Sequence, residues 1–237
     1  MKITIFNGSP RGEKGNTNVM AVGFADGAVS AGAQVENICL SEYEIKHCTA
    51  CGSCSFKTPG KCVIKDDMAD LLEKFGDSDV VVFATPLYVD NVSGMMKVFM
   101  DRMMPLLDPL LDTDSDGKCV HKLRITPPKI IAMSNCGYPE HENFQVLSLL
   151  FKRIARNMNS EVIAEIYRGE GVILNQKSML LNMLISKYKK LLKKCGQEIV
   201  QDGRLSAETI ASLEKPLVPA EIYIKEGNKH MAKMLEN

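Results

Sequence analysis

Apolar residues along the chain fall into short continuous runs, and these alternate with longer stretches that repeat every three to four residues. Lys2 to Phe6 is one such run, and it stops at Asn7-Gly8-Ser9-Pro10, predicting a buried first strand closed by turn residues. From Asn16 onward Met20, Phe24 and Ala28 line one helical face, with Gly23, Gly27 and Ala31 beside them as small residues that let this helix approach a sheet. Gln34 to Leu40 reads as strand two. Beyond a cysteine-bearing loop, Asp66-Asp67 open a helix that runs to about Gly76, its acidic first turn suiting the macrodipole. Asp79 to Ala84 is a Val-rich strand of the kind covered on both faces, and it ends at Thr85-Pro86. Ser93 caps a Met-rich helix from Gly94 to Leu107; Lys129 to Ser134 gives strand four, Glu140 to Asn157 a helix, and Glu161 to Tyr167 strand five. The alternation predicts an α/β fold in three layers, a parallel five-stranded sheet between helices.

Two segments stand outside this repeat. Residues 105–128, rich in Asp and Pro, form an insertion before strand four, and a connection of that length is usually functional or interfacial. A long Leu/Lys helix from Gln176 to Val200 precedes a helical C-terminal extension. The expected organisation is a domain over 1–202 and an extension, 203–237, packed on the core or on a partner subunit.

Lys plus Arg and Asp plus Glu number 29 each, so no global field draws the chain to nucleic acid or to an anionic membrane. The N-terminus has no signal-peptide core and no apolar run reaches membrane length, which predicts a cytoplasmic protein. In a reducing compartment the eight cysteines read as ligands or redox groups.

In an open parallel sheet, ligands bind beyond the C-terminal ends of the strands, where neighbouring connections diverge. Three loops belong there. The first, Asn7 to Thr17, is rich in Gly, Ser, Asn and Thr and leads into a helix, so its N–H groups and hydroxyls can wrap an anion. Its spacing fits neither the dinucleotide fingerprint nor the P-loop, which leaves a terminal monophosphate. The second, Thr85-Pro86-Leu87-Tyr88-Val89-Asp90-Asn91, offers a Pro turn and an aromatic ring. The third, Asn135-Cys136-Gly137-Tyr138-Pro139-Glu140, again sets Gly beside an aromatic. Singly each is an ordinary turn; on one edge they predict flavin mononucleotide, FMN.

Four cysteines, Cys48, Cys51, Cys54 and Cys62, lie in a loop over 47–63. The first three stand at steps of three among small residues, and Pro59-Gly60 is a turn that can return the fourth. Zinc sites usually use two separated pairs, whereas C-x₂-C-x₂-C resembles the opening of loops that hold cubane iron–sulfur clusters. The expectation is a [4Fe–4S] cluster, with zinc and free, redox-switching thiols as the alternatives. Lys57, Lys61 and Lys65 would raise the potential of such a cluster, although each alone is an ordinary solvated lysine.

Gly8-Ser9-Pro10-Arg11 with Asn16-Thr17, the segment Thr85-Pro86-Leu87-Tyr88, and Ser93-Gly94 to Phe99 with Asp101-Arg102 resemble the NADPH-dependent FMN reductase branch of the flavodoxin-like proteins. With its cysteine loop the chain is similar to the iron–sulfur flavoproteins of that branch, over about residues 1–170. The resemblance implies a doubly wound sheet of order 2-1-3-4-5. It implies FMN with its phosphate near Ser9, Arg11, Asn16 and Thr17 and its ring near Pro86, Leu87, Tyr88, Asn135, Cys136 and Gly137. It also implies a homodimer or homotetramer.

The expected function is an FMN-dependent oxidoreductase in which the chemistry belongs to the flavin and no side chain is a catalytic acid or nucleophile. Electrons would pass between NAD(P)H or a ferredoxin-like carrier and an acceptor through the cluster. The alternatives are a cluster-free NAD(P)H-dependent quinone or FMN reductase, and a non-enzymatic flavodoxin-like carrier or thiol sensor. Other signals are discounted. Asp112 to Gly117 opens like a calcium loop, but its twelfth position is Leu123. The basic run Lys187 to Lys194 reads as a solvated helix face, the methionines from Met95 to Met104 as core, Cys39 and Cys195 as packing residues, and His47 as a surface residue.

Overall fold

The computed structural model describes residues 1–176 and 178–236; Lys177 and Asn237, which the sequence reading placed in the last long helix and the extension, lie outside them. The central strands are β1 (Lys2–Asn7), β2 (Gln34–Cys39), β3 (Val80–Pro86), β6 (Lys129–Asn135) and β7 (Val162–Arg168), all parallel and in the order β2-β1-β3-β6-β7. Counted without the insertion, this is the expected 2-1-3-4-5.

Alternate residues of the strands feed two apolar layers, as the period-2 geometry of a strand requires. Phe6, Val81 and Phe83 pack with α3 (Met68–Gly76), α4 (Gly94–Asp101) and α5 (Gln145–Asn157) through Phe75, Phe99 and Phe151. Ile3, Ile5, Val80 and Val82 pack with α1 (Asn16–Ser30) and α6 (Met179–Asp202) through Phe24, Leu192 and Cys195. The small residues of α1 serve a different neighbour from the one expected. A Cβ on Gly27 would stand 1.9 Å from the Lys193 carbonyl oxygen, and one on Gly196 would stand 2.1 Å from that of Phe24. The glycines seat α1 against α6, not against the sheet.

Three other expectations are corrected. The Met-rich helix stops at Asp101 instead of Leu107; Arg102 ends it, and Pro105, which cannot donate to a continuing helix, lies in a separate 3-10 turn over Met104–Leu106. The helix after strand four begins at Gln145, preceded by a 3-10 turn over His141–Phe144. Asp66 lies just before α3, and its carboxylate pairs with Arg102 as well as accepting the Met68 N–H at the helix start.

The insertion is a β-hairpin, β4 (Leu107–Thr113) and β5 (Cys119–Leu123). Its tip explains the calcium-like Asp run. The Asp114 carboxylate accepts the N–H groups of Asp116 and Lys118, Gly117 takes φ +72°, and Arg156 of α5 pairs with Asp114 at 3.0 Å. The extension forms α7 (Ala207–Glu214) and α8 (Ala220–Leu235). Leu213 of α7 joins the α1–α6 core, whereas no residue of α8 is buried. Among the described residues no helix is long and apolar enough to cross a membrane.

Candidate functional site

The three loops are tied to one another at the C-terminal edge of the sheet. Ser93, the N-cap of α4, donates through its hydroxyl to the Gly8 carbonyl at 2.6 Å and accepts the Met96 N–H at 3.1 Å. The Leu87 N–H reaches the Asn135 carbonyl at 2.9 Å, and the Asn135 amide donates to the Thr17 hydroxyl at 2.8 Å. The last two bonds thus link the ring-side loops to each other and to the phosphate loop.

The first loop, expected to take the phosphate, ends at a helix start that no side chain caps. Ser9 is 1% exposed, and its hydroxyl oxygen accepts the Arg11 N–H. After one 3-10 turn at Gly12–Lys14, the chain enters α1 through Gly15, where no side chain caps the helix. The N–H groups of Asn16 and Thr17 therefore stand at an open helix start, where the dipole favours negative charge. Gly15 is required by closeness: a Cβ there would sit 2.3 Å from Ser9 Oγ. The Arg11 guanidinium is exposed and makes no hydrogen bond or ion pair among the described residues, leaving it available to a dianion. These donors fit a phosphate monoester.

The ring-side loops present less side chain and more backbone than expected. Pro86 ends β3, Leu87 is buried, and Tyr88 and Tyr138 stand at 47% and 63% exposure. Tyr88 and Asn91 bond each other's N–H across a two-residue turn in which Val89 and Asp90 both take positive φ, +49° and +55°. A β-branched residue is a genuine outlier there. Cys136 is buried within the third loop: its N–H meets the Arg168 carbonyl, its C=O accepts the Gly171 N–H, and burial pushes its thiol pKa up. The N–H groups of Val89, Asp90, Gly137 and Tyr138 make no hydrogen bond among the described residues.

Sequence reasoning missed a fourth loop and a strap. After β7 come Gly169, Glu170 in a left-handed conformation, and Gly171; a Cβ on Gly171 would stand 2.8 Å from Asn135 Oδ1. Asn175 closes the underside of the cradle, donating to the Lys14 carbonyl and to the Asn16 side chain at 2.7 Å. Glu170, fully buried, accepts the N–H groups of Leu217 and Val218, and the Arg168 guanidinium donates to the Leu213 and Lys215 carbonyls at the end of α7. The Tyr223 hydroxyl then reaches the Gly137 carbonyl at 2.5 Å, and burial, with the charges of Glu170 and Cys136, pushes its phenol up to about 12. The readable signal was Gly-Glu-Gly after strand five; the strap left none.

The cysteine loop lies at the other end of α4. Ala50 and Gly52 take positive φ, wrapping the first cysteines tightly, and Ser53–Phe56 forms one helical turn, α2. Hydrogen bonds with Ser53 and Thr49 hold the exposed Cys51 thiol at about 7, below its ordinary 9.0. Burial raises Cys54, and the neighbouring Cys62 raises it further. The soft donor set suits iron–sulfur chemistry. Among the described residues, however, no three Cys, His, Asp or Glu side chains converge as a metal-binding group. His47, Lys57, Lys61 and Lys65 are exposed.

A cleft of about 1000 Å³ also opens between α5, β7 and α7, but it lies apart from the three loops and its Lys152 and Glu165 pair with each other at 2.9 Å.

Comparison with known proteins follows the same lines. An iron–sulfur flavoprotein of Archaeoglobus fulgidus is 40% identical over 105 residues, covering 44% of this chain and 46% of its own. An iron–sulfur flavoprotein of Methanosarcina thermophila is 36% identical, covering 45% and 54%. The chain thus spans about half the length of these curated relatives. The fold is shared with an FMN-dependent NADH-azoreductase of Bacillus anthracis in complex with FMN, at TM-score 0.62 and 13% identity over 84% of this chain and 99% of that one. It is shared too with an NAD(P)H:quinone oxidoreductase of Methanothermobacter marburgensis, at TM-score 0.62 and 14% identity over 84% and 96%. The profile of the NADPH-dependent FMN reductases matches residues 1–120, which contain the phosphate loop, the Tyr88 turn and all four loop cysteines, and the chain belongs to that family.

Proposed function

We propose that this chain is an FMN-dependent oxidoreductase that moves electrons between NAD(P)H, or a one-electron carrier of the ferredoxin kind, and a small acceptor. The cysteine loop is the seat of a [4Fe–4S] cluster held by Cys48, Cys51, Cys54 and Cys62. The observation that carries the flavin reading is the bonding of three separate loops around an uncapped helix start. The family's description supports FMN and a nicotinamide donor, and the names of the relatives support the cluster.

FMN, when bound, supplies a ring that accepts electrons in pairs and can release them singly. The protein orients it. Ser9 Oγ, the N–H groups of Asn16 and Thr17, and Arg11 hold the phosphate; Pro86, Leu87 and Tyr88 on one side and Asn135, Cys136 and Gly137 on the other wall the ring. Tyr88 and Tyr138 shield it from water. Turnover then depends on how these residues position the ring. Ile222, Ile224, Met231 and Met234 of α8 are about half exposed, which supports a homodimer or homotetramer with the extension, 203–237, against the core or a partner.

A cluster-free NAD(P)H-dependent quinone or FMN reductase is the second reading, favoured by the lack, among the described residues, of three converging ligand side chains. Protein purified without oxygen decides between them. The first reading expects one FMN per chain, stoichiometric iron and acid-labile sulfide, and acceptor reduction with NADH or NADPH. FMN and turnover without iron select the second. FMN without turnover leaves an electron carrier or thiol sensor, and material that does not bind FMN refutes all of them.

A further inference from the structure

The Arg102 side chain is among the largest fully buried in the protein, and it sits neither in an apolar core nor at the flavin edge. It ends α4 and points its guanidinium into the neck of the cysteine loop. There Nη1 donates to the Lys46 carbonyl at 2.6 Å and to Asp66 Oδ2 at 2.6 Å, while Nη2 donates to Asp66 Oδ1 at 3.0 Å and to Cys62 Sγ at 3.5 Å. Asp66 in turn accepts the N–H of Lys46 at 2.9 Å and that of Met68 at 3.2 Å. The two side chains are 1% and 0% exposed. Lys46 immediately precedes the loop and Asp66 closely follows it, so a single ion pair fastens both ends.

We infer that Arg102 is the positioning residue of the cysteine loop: with Asp66 it clamps the loop's neck and fixes Cys62 as the sulfur about which the other three cysteines assemble. The assignment to a cluster rests on the proposed function; the clamp rests on the hydrogen bonds alone. A flat, forked, permanently charged group is needed, because four acceptors in different directions must be met from one side chain. Lysine keeps the charge but offers a single nitrogen, so it can answer Asp66 without also reaching the Lys46 carbonyl and the Cys62 sulfur.

The test compares wild type, R102K and R102M, all purified anaerobically as the FMN-bound protein. Amide hydrogen exchange over residues 44–67, iron per FMN, and the cluster's midpoint potential are measured. In R102K, FMN content and exchange in β1 and β3 are expected to stay at wild-type values. Exchange in the cysteine loop should rise by about tenfold or more, because local opening no longer breaks the fork. Iron per FMN should fall, and whatever cluster remains should have a lower potential, since a hydrogen bond to its sulfur is gone. R102M is the harsher variant, leaving Asp66 buried without a partner; if it fails to fold, R102K carries the test. Loop exchange within about twofold of wild type in FMN-bound R102K overturns the clamp. Wild type without iron overturns the cluster reading, and the exchange data still decide the clamp.

Discussion

Gly15→Ala separates phosphate binding from folding. At φ −77° and ψ 151° the Gly15 backbone suits any residue, so alanine brings no backbone strain and is expected to stabilise by about 0.4–1 kcal/mol through the unfolded chain. The new Cβ, however, meets Ser9 Oγ at 2.3 Å, Ser9 Cβ at 3.1 Å and the Gly12 carbonyl at 3.1 Å. Ser9 must rotate its hydroxyl away, giving up the Arg11 N–H and leaving the cradle. The rotation is a small loss to the fold, about 1 kcal/mol for one neutral hydrogen bond, which the backbone gain roughly offsets. The ligand loses a hydrogen bond to a charged group, about 1.5–3 kcal/mol, or a Kd for FMN weaker by about 10- to 150-fold. Fluorescence titration of apoprotein measures that shift, with riboflavin as the control lacking the phosphate. Weaker FMN binding, unchanged riboflavin binding and a Tm within about 3 °C are expected. Equal weakening for both ligands, or none for either, refutes the placement of the phosphate at Ser9 and Gly15.

Three further substitutions probe the edge and the core. Ser93→Ala removes the α4 cap and strands the Gly8 carbonyl, for an expected loss of about 2–3 kcal/mol in urea unfolding; a loss below about 0.5 kcal/mol shows that the two loops are not joined there. Tyr223→Phe should speed amide exchange in residues 136–138 while leaving β1 untouched, and an unchanged rate would detach the extension from the ring-side loop. Burial, with the Glu198 charge, pushes the Cys195 thiol from 9.0 up to about 12. The folded state thus keeps a proton that the unfolded chain releases, and stability falls as pH rises from about 9 to 12. Cys195→Ala should flatten that decline, and superimposable curves would show that this thiol does not contribute.

Much of this was legible because it rests on local chemistry. The Val80–Ala84 run reads as a strand buried on both faces, and the small and polar residues of the first loop suit an open helix start. The hairpin in the insertion was hidden because Asp and Pro break up its apolar residues, while its turn is set by Asp114 side-chain bonds and by Arg156 from a distant helix. Gly23 and Gly27 revealed a close approach but not the approaching element, since α6 lies more than 150 residues further on. Arg102 and Glu170 were illegible for a related reason: a buried charge looks like a surface one until its partners, Asp66 and the 217–218 backbone, are placed beside it.

Helix α4 is short, yet its first residue's neighbour holds Gly8 and its last residue's neighbour holds the neck of the cysteine loop. Eight residues at 1.5 Å each make a rod of about 12 Å. The separation between the Gly8 loop and the neck of the cysteine loop is therefore a ruler cut into the sequence between Ser93 and Arg102. Adding or removing one residue there would swing Arg102 by about 100° around the axis, from the 3.6-residue turn, and break one attachment while sparing the other. The exposed Lys97 of this helix can change freely, whereas Met96 and Phe99 are held by the core and the helix's length is expected to be the quantity the protein cannot vary.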